Sequence, residues 1–443
     1  MQENRYRPYT LHNYKELPQI SNLSQKDIEA IEVVGRVLPF RANSYVVEQL
    51  IDWNNIPNDP MFTLTFPRKE MLSPSHYNQV LKMLDMDMRD PIYLDKINKI
   101  RLKLNPNPAG QEENIPEMSG SKLHGMQHKY RETVLFFPSQ GQTCHAYCTF
   151  CFRWPQFSGM SEHKFAMKEA DLLHKYLRRN KKVTDVLFTG GDPLTATSTI
   201  LSNYIEPLLS EEYSHIDTIR IGSKSLSYWP YRFLTDKDAD SLLELFEKVT
   251  KAGKNLAFQA HFNHPKELST DAVKQAIERI QNTGAQIRTQ SPLLKKINDH
   301  PNIWAEMWRK QVDLGCIPYY MFVARDTGSK AFFEVPLERT WNIFRKAYSR
   351  VSGIARTVRG PSMSAHPGKV QIIGITEVKG EKVFVLEFIQ CRNPNLVRIP
   401  FFAKYDAKAT WLDQLEPAFG ESEFFYEKDN LLGAKIENEV LWE

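Results

Sequence analysis

Three of the five cysteines in this chain lie within eight residues of one another. Cys144, Cys148 and Cys151 have the spacing C-x3-C-x2-C in the segment CHAYCTFCFRWPQF. Three thiolates at this spacing can bind three irons of a four-iron cluster and leave the fourth iron free for another ligand. A structural zinc ion would need a fourth protein ligand, for which His145 is the only local candidate. Three ordinary buried cysteines are the remaining alternative, and the clustering favours the iron–sulfur cluster.

Two further segments carry residue types suited to ligand binding. Gly190, Gly191 and Asp192 follow a β-rich run, where glycines let the backbone approach a ligand and a carboxylate can accept from an ammonium group. The same four letters, GGDP, also suit an ordinary turn. Lys369 stands between a glycine and a predicted strand, where a lysine can bind pyridoxal phosphate or lie at the surface. His261 is a candidate ligand-binding residue or a hydrogen-bonded structural histidine.

Short β-rich runs alternate with amphipathic helical runs from residue 133 onwards. This alternation predicts an α/β fold with a parallel sheet, here six strands in a partial (β/α)6 TIM-type barrel. The predicted strands cover 133–137, 185–189, 218–222, 256–262, 286–289 and 319–323. The predicted helices between them cover 166–179, 239–252, 269–283 and 303–314.

The polar and glycine-rich segments follow the ends of these strands. The cysteine segment follows the first strand, and GGDP, GSKS, HFNHP, TQS and ARDTG follow the second to the sixth. In barrels of this type the chemistry gathers at the carboxyl ends of the strands. We therefore expect all six segments to line one mouth.

The regions on either side of the barrel have different patterns. Residues 1–125 are predicted to be an N-terminal helical region, a scaffold or subunit contact, with helices after Ser24 and over 44–53 and 75–84. Residues 126–340 would form the barrel, and 341–443 a C-terminal α+β extension. That extension has a predicted helix at 340–349, the loop GPSMSAHPGK and a β-hairpin made of VQIIGI and KVFVLEF. Aromatic residues of the tail are expected to pack on the core or on a partner: Trp411, Phe419, Phe424, Phe425, Tyr426 and Trp442.

The composition excludes several classes of protein. The 443 residues are 42% hydrophobic and 25% charged, as in ordinary globular proteins. A net charge of +4 is too balanced to indicate nucleic-acid binding. No segment approaches the roughly 18 apolar residues of a membrane span, and the N-terminus lacks the apolar core of a signal peptide. The sequence predicts a cytoplasmic protein that binds neither nucleic acid nor membranes.

The cysteine segment resembles that of the radical S-adenosylmethionine enzymes, with Tyr147 and Phe150 as aromatic residues directly before the second and third cysteines. The resemblance extends from about residue 126 to 390 to the lysine 2,3-aminomutase group of that superfamily. The segments that carry it are HKYRETVLF, FTGGDPL, IRIGSK, HFNHPKELS, QSPLLKKIND and PYYMF.

The resemblance implies a set of cofactors and the residues that bind them. The three cysteines would hold a [4Fe-4S] cluster, and S-adenosylmethionine would lie against Gly190, Gly191, Asp192, His261 and Gln290. Lys369 would bind pyridoxal 5′-phosphate. Lys129 and Arg131 would approach the phosphate of that cofactor, although Thr133 stands where the family has an arginine. Arg153 would pair with the substrate α-carboxylate, to which a planar guanidinium is well matched.

The residues expected around the distal end of the substrate depart from the lysine-specific pattern. Without a gap in the alignment, Arg325 and Ser362 stand at the two positions where lysine-specific members have aspartates. An arginine opposite a neutral residue would repel lysine and attract a second carboxylate, as in glutamate 2,3-aminomutases. A gap of one residue would instead bring Asp326 into the site and favour lysine. In the loop before Lys369, the segment Ala365–His366–Pro367 replaces the glycines of the family.

The sequence therefore predicts a radical S-adenosylmethionine isomerase, an amino-acid 2,3-aminomutase that uses a 5′-deoxyadenosyl radical and pyridoxal phosphate on a glutamate-like substrate. The alternatives are a lysine 2,3-aminomutase, a radical enzyme without pyridoxal phosphate, and a non-enzymatic iron–sulfur scaffold. The resemblance also implies a small-molecule amino-acid substrate, an electron donor such as flavodoxin or ferredoxin, and a homo-oligomer. No zinc is expected, because the cysteines that bind it near the C-terminus of some members are missing.

Overall fold

A single eleven-stranded sheet is the centre of the fold. The structure is a computed structural model that describes residues 5–106, 114–160, 165–428 and Leu431. The strands, numbered in chain order with two short pairs outside the main sheet, are β1 Pro8–Tyr9, β2 Ala42–Asn43, β3 Glu117–Met118, β4 Ser121–Lys122, β5 Met126–Tyr130, β6 Thr133–Phe136, β7 Asp185–Phe188, β8 Thr218–Ser223, β9 Asn255–His261, β10 Gln286–Leu293, β11 Ile317–Val323, β12 Arg359–Ser364, β13 Gly368–Val378, β14 Glu381–Cys391 and β15 Pro400–Lys404.

The strands β6 to β12 run parallel, in the order of the sequence. The antiparallel strand β5 extends one edge, and the antiparallel strands β13 to β15 extend the other. The predicted α/β class with a parallel sheet is confirmed, and all six predicted strands are present.

Two segments interpreted from the sequence contain an additional strand. HKYRETVLF includes, besides the predicted strand at 133–137, the edge strand β5, and the chain turns between the two at Arg131 and Glu132. The predicted loop GPSMSAHPGK begins with a seventh parallel strand, β12. Its pairing with β11 is irregular between Tyr320 and Phe322, opposite Gly360 and Pro361, because proline has no N–H to donate to the ladder. The missing ladder bond and the glycine make this strand look like a loop in the sequence.

The sheet curls until its two sides approach each other. Lys129, on edge strand β5, donates from Nζ to the carbonyl of Ala365 in the turn between β12 and β13, at 2.7 Å. Six strands separate β5 from β12 in the sheet order, so a flat sheet could not make this bond. The curvature gathers the carboxyl ends of the parallel strands around one mouth, as the barrel prediction requires.

Helices cover the outside of the sheet and form much of the N-terminal region. The predicted helix after Ser24 is present, and Ser24 caps it by reciprocal bonds with Asp27. The predicted helix at 44–53 is reduced to a π-helical turn, Val46–Leu50. The helices are α1 Gln25–Gly35, α2 Pro60–Thr65, α3 Pro74–Leu81, α4 Pro91–Lys103, α5 Ala170–Arg179, α6 Ser198–Ile205, α7 Ser225–Tyr228, α8 Ala239–Lys251, α9 Asp271–Asn282, α10 Pro301–Asp313, α11 Lys330–Phe333 and α12 Leu337–Tyr348. In the described ranges, none of these helices has the length and apolarity needed to cross a bilayer.

The tail aromatics divide between a core and the surface. A second hydrophobic core lies on the β13–β14 hairpin and includes Trp411, Phe424 and Tyr426, with Phe425 packed against it. Phe419 is 41% exposed, while Trp442 lies outside the described residues. Most of the tail therefore packs on the core of its own chain, which is one of the two alternatives predicted from the sequence.

Gly125 fixes the path of the chain into β5. Its φ is +96°, and a Cβ there would overlap the backbone of Ala166 and Met167. Gly120 also has a positive φ, +77°, but a Cβ there would meet no atom within 4 Å.

We expect Gly125→Ala to lower the free energy of unfolding clearly more than Gly120→Ala. Both variants bear the cost of a left-handed alanine, roughly 1–2 kcal/mol, but only the first also displaces backbone. Urea unfolding of the two variants at equal m-value measures the difference. Equal losses would contradict the assigned clash.

Candidate active site

The three clustered cysteines lie on the loop that follows β6 at the mouth of the barrel. All three are free thiols and partly exposed. Burial raises the pKa of the Cys151 thiol to about 12, and the neighbouring Cys148 thiol adds to that shift. Burial likewise raises the pKa of Cys144, and the other two thiols contribute. The three sulfurs therefore share one poorly solvated site, where iron would remove the cost of forming thiolates.

Within the described ranges, no three His, Cys, Asp or Glu side chains are arranged around one point to hold a single metal ion, whereas the three thiolates of a four-iron cluster each bind a different iron. His145, the local candidate for a zinc ligand, makes other contacts. Its Nδ1 lies 3.1 Å from Ser225 Oγ, and burial lowers its pKa to about 3. The neutral ring is thus bonded to the start of α7.

The N-terminal region holds the cysteine loop from outside the barrel. Tyr6 Oη and Asn43 Nδ2 both donate to the carbonyl of His145, at 2.8 and 3.1 Å. Further along the loop, the amide of Thr149 donates to the carbonyl of Leu64 at 2.9 Å. The region interpreted from sequence as a scaffold or subunit contact is therefore part of the framework of the site.

The carboxylate of Asp192 connects three strand ends. It accepts from the amides of Leu194 and Lys224, at 3.0 and 2.9 Å, and from the hydroxyls of Ser223 and Ser225, at 2.8–3.1 Å. Its own amide donates to the carbonyl of Thr143, 2.7 Å away, in the cysteine loop. Burial raises the pKa of Asp192, whereas these donors lower it. In this structure the predicted ligand for S-adenosylmethionine is already surrounded by protein donors.

The two glycines before Asp192 are required by the close packing of this segment on the cysteine loop. Gly190 has a φ of +145°, and a Cβ there would overlap the Gln142 side chain. A Cβ on Gly191 would overlap the backbone carbonyl of Thr143. These glycines therefore allow the second strand end to pack closely on the cysteine loop, which is a different reason from the close approach of a ligand expected from the sequence.

A second buried network connects the ends of β8, β9 and β10. Lys224 donates to Glu267 at 2.6 Å and to Asn263 Oδ1 at 2.8 Å, and Glu267 has no exposed side-chain surface. Asn263 in turn donates to Ser291 at 2.9 Å. None of these roles was predicted, although GSKS and HFNHP were recognised as mouth segments, because the pairing joins residues on different strands.

His261 and Gln290 stand side by side at this mouth, paired across β9 and β10. The His261 ring stacks on Phe150 of the cysteine loop, with ring centroids 6.4 Å apart. Burial lowers the pKa of His261 to about 3, helped by Lys224. A neutral imidazole therefore stacks on the cysteine loop, and Gln290 is its neighbour on the adjacent strand.

Four cations of the candidate site come together inside the barrel. Burial lowers the pKa of Lys129 to about 7, and Arg392, Arg325 and Lys369 add to this by repulsion. Burial lowers the pKa of Arg153 to about 10, with a further contribution from Arg325. In the described part of the chain, no ion pair involves Lys129, Arg153, Arg325 or Lys369.

Arg131 is placed differently from Lys129. It is exposed at the β5–β6 turn, where its Nε pairs with Glu132 at 2.7 Å. This turn precedes β6 and so lies at the opposite end of the strand from the mouth. The structure thus brings Lys129, but not Arg131, to the group of cations.

Lys369 lies over aromatic rings at the start of β13. Its Nζ is 4.2 Å from the Tyr320 ring centroid and 5.6 Å from that of Phe322, both on β11. Burial lowers the pKa of Lys369 to about 8, against a partial opposing effect of Tyr319. Its amine is therefore far easier to deprotonate than that of a surface lysine, which has a pKa near 10.4.

The sequence is similar to curated proteins over most of its length. A candidate L-lysine 2,3-aminomutase of Aquifex aeolicus (strain VF5) is 32% identical over 399 residues, which are 90% of this chain and 93% of that protein. The chain belongs to the lysine 2,3-aminomutase family of radical S-adenosylmethionine enzymes. The family predicted from the motifs is thereby confirmed, and with it the enzyme class, a radical S-adenosylmethionine isomerase.

Other members of the lysine 2,3-aminomutase family differ in substrate. The L-lysine 2,3-aminomutase of Clostridium subterminale is 28% identical over 60% of each chain. The glutamate 2,3-aminomutase of Clostridioides difficile (strain 630) is 25% identical over 76% of this chain and 68% of that protein. Family members use a [4Fe-4S] cluster, S-adenosylmethionine and pyridoxal phosphate, which are the three predicted cofactors. No protein-family model matches the chain.

Two solved structures resemble this family member. A radical SAM methyltransferase from Sphaerobacter thermophilus aligns with a TM-score of 0.38 and 15% identity, over 53% of this chain and 68% of that one. SuiB of Streptococcus suis, bound to the precursor peptide SuiA, aligns with a TM-score of 0.34 and 14% identity, over 57% of this chain and 50% of that one.

We expect Glu267→Gln to lower the free energy of unfolding by about 3–5 kcal/mol, because Lys224 would remain buried without its counter-ion. Glu206→Gln is the matched control. Its pair with Lys248 is exposed, at 41% and 59%, so its loss should change the free energy of unfolding far less. Urea unfolding of the anaerobic apoprotein measures both, and a loss at Glu267 as small as that of the control would disprove the role of this pair.

Proposed function

We propose that this protein is a pyridoxal phosphate-dependent 2,3-aminomutase for an acidic, glutamate-like amino acid. The observation that carries this proposal is the position of two arginines. The guanidinium carbons of Arg153 and Arg325 lie 5.0 and 5.1 Å from the centroid of one ring, that of Phe152, and neither makes an ion pair within the described ranges. Two neighbouring, half-buried cations that make no ion pair among the described residues favour a ligand that supplies two negative charges.

The electrostatics of the site favour an acidic substrate over lysine. After burial itself, the charge of Arg325 lowers the pKa of Arg153, and it also lowers the pKa of Lys129. A lysine substrate would add a distal ammonium group to this set of cations, whereas glutamate would add a carboxylate that offsets them. Arg153 would bind the α-carboxylate and Arg325 the distal one, each through the guanidinium fork.

The position of Asp326 supports the alignment without a gap. Asp326 is only 8% exposed. Burial raises the pKa of Asp413 in the C-terminal region, and the charge of Asp326 is the second cause of that increase. Arg325, by contrast, acts on Lys129 and Arg153 in the barrel. Asp326 also opposes the effect of burial on the pKa of Arg325. We assign Arg325 to the proposed substrate because its charge reaches both Lys129 and Arg153.

Ser362 fits the proposed distal end of the substrate. It pairs with Gln371 while Ser364 pairs with Lys369, so residues 362, 364 and 369 share one face of the sheet. Ser362 is 0% exposed, and its Oγ has no hydrogen-bond partner among the described residues. A neutral hydroxyl donor at this place can bond to a carboxylate and adds no charge that would oppose Arg325.

The residues around Lys369 fit pyridoxal phosphate. When bound, that cofactor would supply an electron-withdrawing ring to hold the migrating amino nitrogen. Lys369 would hold it covalently, Tyr320 and Phe322 would contact its ring, and Lys129 would approach its phosphate. Arg220 and Arg359, whose charges also lower the pKa of Lys369, are further cations close to the same lysine. The altered loop at 365–367 leaves this arrangement intact, since it is anchored by Lys129.

The mouth of the barrel fits the other two cofactors. A reduced cluster on Cys144, Cys148 and Cys151 would supply the electron that cleaves S-adenosylmethionine. Beside the cluster, the neutral ring of His261 and the amide of Gln290 would contact the nucleoside part of S-adenosylmethionine. Asp192, with Gly190 and Gly191, would fix the mouth to which the methionine part binds. Arg131, ion-paired at the surface, is not included in this proposal.

The protein side chains would control orientation and protonation. Arg153 and Arg325 hold both ends of the substrate, so that the carbons between which nitrogen moves have one fixed position. The neutral amine of Lys369 would bind the cofactor, and its Nζ would donate or accept a proton. The aromatic residues around it keep water away from reactive carbon centres.

We expect Lys369→Ala to abolish the bound visible chromophore of pyridoxal phosphate. In the wild type, borohydride should fix one phosphopyridoxyl group on the Lys369 peptide, as detected by mass spectrometry. The rate of incorporation should rise with pH and level off above about pH 8, because only the neutral amine, favoured by the lowered pKa, is nucleophilic. Lys296→Ala, which removes a lysine on the Phe332 ring, is the control. A tag elsewhere, or none, would refute this assignment and favour the radical enzyme without pyridoxal phosphate.

We expect the reduced holoenzyme, given an equimolar mixture of amino acids, to form β-glutamate. Arg325→Gln should lower kcat/KM for glutamate about 10–100-fold, since a charge-assisted hydrogen bond contributes roughly 1.5–3 kcal/mol. Asp326→Asn should change it little, and mass spectrometry of the β-amino acids measures both. Formation of β-lysine that is lost in Asp326→Asn would instead establish the lysine enzyme.

A further inference from the structure

Arg41, in the N-terminal region, is hydrogen-bonded to the backbone of Cys144, the first cysteine of the loop. Arg41 donates from Nη1 to the hydroxyl of Thr143 at 2.7 Å and to the carbonyl of Cys144 at 3.2 Å. Its own carbonyl accepts from the amide of Tyr147 at 2.8 Å, and its guanidinium lies 5.1 Å from the Tyr147 ring centroid. Arg41 thus contacts the chain on both sides of Cys144.

The charge of Arg41 is not neutralised by a neighbouring acid. No ion pair in the described part of the chain involves Arg41, and its Nε is buried without an acceptor there. Asp192 is bonded to the same loop, because its amide donates to the carbonyl of Thr143 at 2.7 Å. Among the described residues, its carboxylate accepts from hydroxyls and amides and not from Arg41, whereas Arg41 bonds directly to the Cys144 carbonyl.

We propose that Arg41 is a positioning residue that fixes Cys144 and whose charge raises the reduction potential of the cluster. The oxidised cluster gains one electron on reduction and so becomes more negative. A cation beside one of its ligands, in a medium of low polarity, stabilises the reduced state more than the oxidised one. The inference rests on the proposed binding of the cluster by Cys144, Cys148 and Cys151.

The test is an anaerobic redox titration of the reconstituted full-length protein. Dithionite supplies the electrons, and the EPR signal of the reduced cluster gives the midpoint potential. Arg41→Gln removes the charge, and Arg41→Lys keeps the charge but loses the guanidinium fork. Arg36→Gln is the matched control, because this half-buried arginine of the same region donates instead to the carbonyls of Met83 and Leu84.

The expected order of midpoint potentials distinguishes an effect of the Arg41 charge from an effect of its hydrogen bonds to the loop. Arg41→Gln should lie below the wild type, Arg41→Lys should lie above Arg41→Gln, and Arg36→Gln should equal the wild type. Equal potentials for Arg41→Gln and the wild type at equal iron content, or equal shifts for the glutamine and lysine variants, would overturn the inference. If Arg41→Gln fails to hold iron, Arg41→Met takes its place under the same criteria. A wild type that binds no cluster would refute the cysteine assignment itself.

Discussion

The carboxylate of Asp192 is the contact on which the candidate site depends. It joins the end of β7 to the start of α7 through Ser223, Lys224 and Ser225, and its amide bonds to the cysteine loop. A buried carboxylate is stable only when donors compensate for the loss of water. The close packing of Gly190 and Gly191 on Gln142 and Thr143 follows from that requirement. The cysteine loop, the second strand end and the third therefore form one unit.

Charged residues with partners and charged residues without ion pairs lie in different parts of the barrel. At the mouth, Lys224 is paired with Glu267, and the Asp192 carboxylate is surrounded by donors. Deeper inside, Lys129, Lys369, Arg153 and Arg325 carry no ion pairs in the described structure. Unpaired buried cations are costly unless a ligand completes them. This contrast supports the proposed binding of anionic cofactor and substrate groups beside these four residues.

The sequence predicted those features that are coded locally. Alternating β-rich and amphipathic runs predicted the parallel strands, and the spacing of Cys144, Cys148 and Cys151 predicted the site. Gly360 and Pro361 concealed β12, because residues that usually break strands occupy an irregular part of the ladder. Contacts between distant segments left no local pattern: Arg41 and Thr143 are separated by 102 positions. Polar residues of this kind become interpretable only when the fold brings their partners together.

The bond from Lys129 to Ala365 spans 236 positions. Because it joins the first strand of the main sheet to the turn after its seventh parallel strand, the chamber around Lys369 has no complete wall until β12 and β13 are in place. During synthesis, the cysteine loop leaves the ribosome more than two hundred residues before that turn. The proposed cluster site and the proposed chamber around Lys369 would therefore form at different times, because the three thiols are synthesised long before the strands that complete the chamber.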